Sequence, residues 1–377
     1  MLPALRPLRL AVLAALGATC TNAFAETIVT DARRDVDLVI ALDISGSMEG
    51  LIDSAKQRLW DITNELAQAR PTPRLRVAIL SYGKPGYGEQ SGFVNVDLPF
   101  TADLDAVSAT LFSFTTDGGD EYVSRAIQTS LDKLSWSQDS DALKIMFVAG
   151  NESAEQDPRL TIDSATSAAA RRGIVVNSIY CGSAGDDEAR AWQRLATSTN
   201  GLYASIDQNA AAVANVATPF DSQLAALNDE LNGTYIALGS AGERARENLV
   251  QQDRNAAAMS PAAVASRTVT KGGALYRSEW DLVDAVQAGK ALADIPVDEL
   301  PAEMQALEPE KREAYVAEQT ERRQNLQRQI GALAAERSEY IAEQQTAEPG
   351  APQGLDAAIL QGIRDVAATK GFSFEQE

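Results

Sequence analysis

The stretch DLVIALDISGSMEG, residues 37–50, decides the fold. Its apolar run LVIAL is continuous and partly β-branched, which is typical of a strand buried on both faces. The run ends on Asp43, and Ser45 and Ser47 follow at alternate positions around Gly46. A helical pattern begins directly after this loop. Because α/β sheets bind ligands at the carboxyl ends of their strands, the loop is the first candidate for a functional site.

Strand-like and helical runs alternate from residue 37 to about residue 207. RLRVAILSY, ALKIMFVAG and IVVNSIYCG indicate further buried strands, and the alternating FVNVDLPF indicates an exposed or edge strand. Alternation of this kind predicts right-handed crossovers. The predicted fold class is therefore α/β, a Rossmann-like, mostly parallel sheet with helices on both faces.

Beyond residue 209 the strand patterns stop, and Ala, Glu, Gln and Arg dominate. This predicts a mainly α-helical C-terminal region. A long charged helix should begin near Glu310 and carry a narrow apolar stripe that includes Leu326, Ile330 and Leu333. We expect this helix to pack against a final helix beginning at Leu355. Binding of a partner helix in a coiled coil is the alternative use of that stripe.

The amino-terminal residues resemble a secretory signal peptide, with Arg6 and Arg9 before a short apolar run and small residues at Ala23 and Ala25. We place cleavage after Ala25, which implies a bacterial periplasmic or secreted protein. The predicted organisation is a signal peptide (1–25), a short linker (26–34), an α/β domain (35–215), a helical region (216–300), and a last segment (301–377) with a proline-punctuated connector and two helices.

The composition limits the chemistry. The formal net charge is −20 and the chain has no histidine. The negative charge makes nucleic acid an unfavourable partner. After the amino-terminal apolar run, the sequence contains no long apolar run of the kind that stable membrane insertion requires. Without histidine there is no serine–histidine triad and no histidine-bound zinc. Cys181 is interpreted as a buried apolar residue. A bound metal would need oxygen ligands, which favours Mg²⁺, with Ca²⁺ or Mn²⁺ as alternatives.

Asp43, Ser45 and Ser47 offer one carboxylate and two hydroxyls at the end of the first strand. A hard divalent cation accepts such a set. The structural alternative is that a serine merely caps the following helix. That alternative accounts for one serine but not for the aspartate at the mouth of a buried strand.

DISGSM after an apolar strand resembles the Asp-x-Ser-x-Ser signature of the von Willebrand factor type A (vWA) domain, whose ion lies at a metal-ion-dependent adhesion site. The resemblance implies that Asp43, Ser45 and Ser47 are ligands. In place of the family's threonine, the second loop has Asp120, or Glu121 in another register. Where the family has its third-loop aspartate, this chain has Ala149 and Gly150, followed by Asn151 and Glu152, and Asn151 is expected to add a neutral oxygen. The chain thus departs from the family on both later loops, and Asp120 is expected to supply the second carboxylate.

The resemblance implies a non-catalytic, metal-dependent protein-binding module, in which an acidic side chain of the partner completes the ion. Tyr82 and Tyr87 could contribute to the rim of the site. Two alternatives remain open: a metal-assisted hydrolase that uses Asp43, Asp120 and Glu152, and a metal-free structural protein of the cell envelope. The sequence names neither the partner nor the oligomeric state.

Overall fold

The computed structural model describes residues 34–205, 217–347 and 355–374. The predicted signal peptide, nearly all of the linker 26–34 and the predicted boundary at residue 215 lie outside these residues. The described residues belong to one compact unit. Within the described parts of the chain, no helix is both long enough and apolar enough to cross a membrane.

A single mixed sheet lies at the centre of the described residues, in the strand order β3-β2-β1-β4-β5-β6. The strands are β1 (Asp35–Asp43), β2 (Arg74–Tyr82), β3 (Val94–Thr101), β4 (Leu143–Gly150), β5 (Ile174–Tyr180) and β6 (Tyr203–Ser205). All neighbouring strands are parallel except β2 and β3, which are antiparallel. The mostly parallel sheet and the edge position predicted for FVNVDLPF are both confirmed.

Strand β1 explains why its apolar run is continuous. It pairs with β2 on one side and with β4 on the other, so both of its edges are covered. Leu38 and Ile40 face one layer of helices, whereas Val39 and Ala41 face the other. Both faces of the strand are therefore buried, and no polar alternation is needed.

Five helices belong to the sheet: α1 (Glu49–Gln68), α2 (Leu104–Ser113), α3 (Val123–Lys133), α4 (Ile162–Arg171) and α5 (Ala189–Thr197). Helices α1 and α2 contribute to the core on one face, and α3, α4 and α5 contribute to the core on the other. This arrangement is a three-layer α/β sandwich. It brings the loops that follow β1, β2 and β4 to one edge of the sheet.

The remaining described helices form the mainly α-helical C-terminal region that the sequence predicts, here called the helical region. They are α6 (Asp221–Asn232), α7 (Gly239–Met259), α8 (Pro261–Gly272), α9 (Leu282–Gln287), α10 (Ala302–Gln305), α11 (Pro309–Ala347) and α12 (Leu355–Thr369). Helix α8 packs against α1, α6 and α7, and therefore covers the outer side of the sheet's first helix layer.

The prediction that the long charged helix packs on the final helix is wrong. Helix α11 lies along α6, α8 and α9, with Leu326, Ile330 and Leu333 buried as the stripe indicated. Helix α12 instead packs against α1 and β6. An apolar stripe shows which face of a helix is buried, but it does not show which element covers that face.

One buried apolar cluster runs from the sheet into the helical region. It contains Leu59 and Trp60 of α1 together with Leu224 of α6 and Ile330 of α11. The division of the chain near residue 215 stays a prediction. Because of this shared core, α1 is packed against the sheet on one side and against the helical region on the other.

Buried charges also join the two parts. Arg267 of α8 is 1% exposed. Its guanidinium donates to Asp105 of α2 at 2.7 Å and to Asp253 of α7 at 2.6 Å. The same guanidinium carbon lies 4.8 Å from the ring centroid of Trp60, at a distance typical of a cation–π contact. The helical region therefore holds both α1 and α2.

The carboxyl-terminal segment closes the sheet's opposite end. The N–H of Arg70 donates to the carbonyl oxygen of Ser373 at 2.8 Å, and the N–H of Ser373 donates to that of Arg70 at 3.0 Å. Arg364 of α12 donates to the Glu65 carboxylate of α1, with one nitrogen–oxygen distance of 3.0 Å. Arg364 thus holds helix α12 against α1, and Ser373 holds the segment that follows the helix.

Candidate metal centre

The three ligands predicted on the first loop come together. Asp43 is the last residue of β1 and is 0% exposed, and Ser45 is 3% exposed. The Ser45 N–H donates to Asp43 Oδ1 at 2.7 Å, which folds the loop back over the strand end. The Ser45 and Ser47 hydroxyl oxygens are 3.3 Å apart. Ser47 is exposed, so solvent reaches the cluster from this side.

The capping alternative finds no support at α1. The residue before the helix is Met48, and no side chain caps this helix end. The serine hydroxyls therefore have no capping role that would compete with a role in the cluster. Two hydroxyls and a carboxylate within one turn of chain remain available for a cation.

The second loop places Glu121, and not Asp120, beside Asp43. Asp120 is exposed, whereas Glu121 is 4% exposed. A Cβ added to Gly83 would lie 2.6 Å from Asp43 Oδ1 and 3.2 Å from Glu121 Cγ, so both side chains reach the same point. The sequence offered Glu121 as the alternative to Asp120, and Glu121 is the residue whose carboxylate is buried.

Burial dominates the electrostatics of this pair. It raises the pKa of Asp43 above its usual value, and the nearby charge of Glu152 raises it further. Burial, together with the hydrogen bond and charge of Asp43, raises the pKa of Glu121 to about 9. With both groups ionised, Asp43 Oδ2 has no hydrogen-bond donor. A proton on Glu121 would supply a donor for Asp43 Oδ2. A cation would instead bind the carboxylate oxygens of both residues.

The third loop contributes a neutral oxygen. Asn151 follows β4, and its Oδ1 is buried without a hydrogen-bond partner. Glu152 is exposed, and its carboxylate accepts a hydrogen bond of 2.6 Å from Gln156. Because buried polar atoms in proteins are nearly always bonded, the unpartnered Asn151 Oδ1 is a candidate ligand on this loop.

Gln156 connects the second and third loops. Its Oε1 accepts from the N–H of Glu121 at 3.1 Å, and its Nε2 donates to Glu152. The indole of Trp192 donates to the carbonyl oxygen of Glu152 at 2.8 Å. Sequence reasoning missed Gln156, since a glutamine between an acidic residue and an aspartate carries no distinctive pattern.

Gly83 was also missed, although a glycine directly after a buried strand was a visible signal. Its φ is +85°, in the left-handed region that favours glycine. A Cβ on Gly119 would lie 2.7 Å from the carbonyl oxygen of Gly83, so the loops after β2 and before α3 pack directly on each other. The N–H of Asp117 donates to the carbonyl oxygen of Ile44 at 3.0 Å and joins the first loop to this pair.

The two tyrosines predicted for the rim have different places. Tyr82 is 0% exposed, and its hydroxyl donates to the carbonyl oxygen of Ala149 at 2.7 Å, so its role as a rim contact is wrong. Tyr87 is half-buried, and its hydroxyl lies 2.8 Å from Ser81 Oγ. Tyr82 instead supports the third loop from below.

The residues fit a hard divalent ion. Among the ion pairs of the described residues, none reaches Asp43 or Glu121. The described residues hold no cluster of three or more histidine, cysteine or acidic side chains with metal-ligand geometry. Burial raises the pKa of the Cys181 thiol, and the charge of Asp43 adds to this shift. A soft thiolate ligand is therefore disfavoured, and the donors are two carboxylates, two hydroxyls and an amide oxygen.

Comparison with known proteins agrees with this geometry. The family model of the von Willebrand factor type A domain matches residues 37–219. Members of this family commonly bind a divalent metal at the adhesion site and mediate protein interaction or adhesion. No curated protein matches the chain.

Several solved structures are similar to this chain over the α/β part. Proximal thread matrix protein 1 from the mussel byssus, with a zinc-occupied MIDAS motif, is 11% identical, with a TM-score of 0.38 over 47% of this chain and 43% of that chain. The vWA domain of SpRpn10 is 13% identical, with a TM-score of 0.36 over 46% of this chain and 89% of that chain.

The pilus adhesin SpaC from Lactobacillus rhamnosus GG is 18% identical, with a TM-score of 0.38 over 47% of this chain and 28% of that chain. The chain thus spans less than half the length of the mussel protein and of this adhesin. The match over residues 37–219, together with the strand order and the Asp43-Ser45-Ser47 loop, identifies this part of the chain as a von Willebrand factor type A domain.

Proposed function

We propose that this protein is a non-catalytic, metal-dependent protein-binding module whose contact is made through a divalent ion at the carboxyl edge of the sheet. The observation that supports this proposal is the buried carboxyl pair of Asp43 and Glu121, in which Asp43 Oδ2 has no donor. Without a cation the pair is accommodated by a proton, as the pKa of about 9 for Glu121 indicates, and a divalent cation would take the place of that proton. The cation would stabilise the pair and keep a position open for a partner.

The proposed ligand set keeps four of the predicted residues and changes one. Asp43, Ser45, Ser47 and Asn151 supply oxygens from the first and third loops. Glu121 replaces Asp120 as the second carboxylate, because its side chain is buried beside Asp43. Magnesium is the favoured ion since it accepts few carboxylates and several neutral oxygens, and Ca²⁺ or Mn²⁺ fit the same donors.

Exposed residues of the first and second loops lie beside the buried pair. Gly46, Ser47 and residues 118–120 are exposed, whereas Asp43 and Glu121 lie beneath them. A partner would therefore reach the ion past Ser47 and bring an oxygen ligand to it. We propose that this contact occurs outside the cytoplasm, because the amino-terminal residues have the pattern of a cleaved signal peptide.

The hydrolase alternative receives less support. It needs Asp43, Asp120 and Glu152 to converge on one water, but Asp120 and Glu152 are both exposed, and Glu152 is bonded to Gln156. Only Asp43 and Glu121 among these carboxylates are buried side by side, whereas a two-metal site requires further bridging carboxylates.

Calorimetric titration of the full chain with Mg²⁺, Ca²⁺ and Mn²⁺ tests the proposal. We expect one ion per chain, a higher Tm with the ion present, and no heat from Asp43→Ala. Glu121→Gln should weaken ion binding strongly, whereas the matched Asp120→Asn should leave it within about twofold because that carboxylate faces solvent. Absence of binding at millimolar ion by the wild-type protein would refute the metal site. Unchanged ion binding by Glu121→Gln would mean that another residue supplies the second carboxylate ligand.

A further inference from the structure

Two carboxylates, Asp43 and Glu121, are buried side by side at the proposed ion and match its two positive charges. A third carboxylate, the exposed Glu152, is linked to this pair through Gln156, which bonds both to the Glu121 N–H and to the Glu152 carboxylate. A divalent cation carries two positive charges. The site with its ion is therefore left with a net negative charge.

Lys84 follows Gly83 directly on the loop after β2, but no described ion pair joins it to these carboxylates. Glu152 is bonded to the neutral amide of Gln156, and among the described ion pairs none includes Asp43, Glu121 or Glu152. Asp117 and Asp120 are exposed on the loop that covers the site. The surface that a partner would meet is thus acidic at its centre and on one side of its rim.

Glu121 cannot easily withdraw to make room for another acid. Its N–H is held by Gln156 at 3.1 Å, and its carbonyl oxygen accepts from Val123 at 3.1 Å at the start of α3. Gly119 is packed against Gly83, so the chain before Glu121 has little space to move. The inward position of Glu121 is therefore built into the loop on both sides.

We infer that the open position of this ion selects a neutral oxygen ligand, a hydroxyl, amide or carbonyl group, from a partner whose contact surface is basic. An acidic side chain, which the family resemblance implies, would meet the carboxylates of Asp43 and Glu121, the nearby charge of Glu152, and the exposed Asp117 and Asp120. Glu121 already provides the anionic ligand from within the chain. This inference rests on the proposed function, since it concerns the partner of the same ion.

Two isosteric probes separate a neutral from an anionic ligand. The Mn²⁺-loaded full chain is titrated with the blocked pentapeptides Lys-Gly-Asn-Gly-Lys and Lys-Gly-Asp-Gly-Lys, and the relaxation of water protons by Mn²⁺ reports displacement of a bound water. We expect the Asn peptide to bind the wild-type protein more tightly. Glu121→Gln should shift the preference toward the Asp peptide by about tenfold, because it removes a buried charge next to the ion. Glu152→Gln should shift it in the same direction by less.

Asp120→Asn is the matched control. It removes one charge from the neighbouring position, but the side chain is exposed and solvent screens it. We expect its peptide preference to equal that of the wild-type protein within about twofold.

Tighter binding of the Asp peptide by the wild-type protein would overturn the inference, and so would an unchanged preference in Glu121→Gln. If Mn²⁺ binds but neither peptide displaces a water, the inference also falls, while the ion site of the proposed function stands. If Mn²⁺ itself does not bind, the proposed function and the inference fall together.

Discussion

Arg267 of α8 and Asp105 of α2 form an ion pair of 2.7 Å in which both side chains are nearly inaccessible, with side-chain exposures of 1% and 5%. Tyr276 donates its hydroxyl to the second oxygen of Asp105. The pair joins an element that supports the sheet to an element of the helical region. Its stability consequences can be measured without touching the metal centre.

Arg267→Met should lower the free energy of unfolding by about 3–5 kcal/mol, since it leaves Asp105 and Asp253 buried with weaker compensation. Chemical denaturation measures the change. Arg246→Met is the control, because its contact with Glu243 is 3.9 Å long and exposed, and it should cost less than about 1 kcal/mol. A loss below 1 kcal/mol for Arg267→Met would mean that the pair contributes little.

A chain that ends at residue 215 should melt at a lower temperature and less cooperatively than the full chain. The α/β pattern predicts that this part folds alone, but truncation removes the neighbours of Trp60 and the partner of Asp105. Thermal unfolding by circular dichroism measures the difference. A truncated chain with the Tm of the full chain would show that the shared core adds no stability to the sheet.

Acid stability should depend on Asp253. Burial opposes its charge, but Lys271 and Arg267 prevail and lower the pKa of this carboxyl from 3.8 to about 2. A carboxylate with a depressed folded-state pKa stabilises the fold above its unfolded pKa, and this contribution disappears as the pH falls from 3.8 to about 2. We expect Asp253→Asn to remove roughly 2 kcal/mol of stability at pH 7 and to flatten the pH dependence in that range. Denaturation midpoints at several pH values measure it, and a wild-type slope in the variant would contradict the assignment.

Gly83→Ala should damage the metal centre. The φ of +85° strains any side chain at this position. The added Cβ would lie 2.6 Å from Asp43 Oδ1 and force that carboxylate to move. We expect a loss of about 1–3 kcal/mol in stability and weaker Mn²⁺ binding by calorimetry. Gly86→Ala is the matched control, because a Cβ there has no neighbour within 4 Å and should leave ion binding unchanged.

Gln156→Ala should weaken ion binding through Glu121. It removes the acceptor of the Glu121 N–H and the amide that holds Glu152. A cost of about 1–3 kcal/mol in stability is expected from the unpaired backbone donor. Gln128→Ala, which removes an exposed contact to Asp132 on α3, should change neither stability nor ion binding. Equal ion affinities in the two variants would exclude a positioning role for Gln156.

The sheet and the first loop could be predicted because their signals are local. The apolar run of β1, its abrupt end at Asp43 and the helix after it specify a strand, a loop and a direction within about a dozen residues. The edge strand β3 was predicted from its alternating sequence, and β2 is its only neighbour within the described sheet, which leaves its residues mostly half-buried. Each of these assignments rests on a periodicity that packing preserves.

The second carboxylate could not be placed this way. Asp120 and Glu121 are neighbours in an irregular segment before α3, which begins at Val123. In such a segment no periodicity says which side chain turns inward, and a shift of one residue exchanges a buried carboxylate for an exposed one. The packing of Gly119 on Gly83 decides the register, and that contact joins segments far apart in sequence. The position of α12 depends on equally distant contacts.

Arg70 can meet Ser373 only after the long stretch of chain between them has been synthesised. Until then the backbone N–H and carbonyl of Arg70, next to the start of β2, have no partner from that segment. A product truncated before Ser373 would leave this end of the molecule open to proteases. Such truncated copies would therefore present cellular quality control with a difference at the edge of the sheet opposite the candidate site.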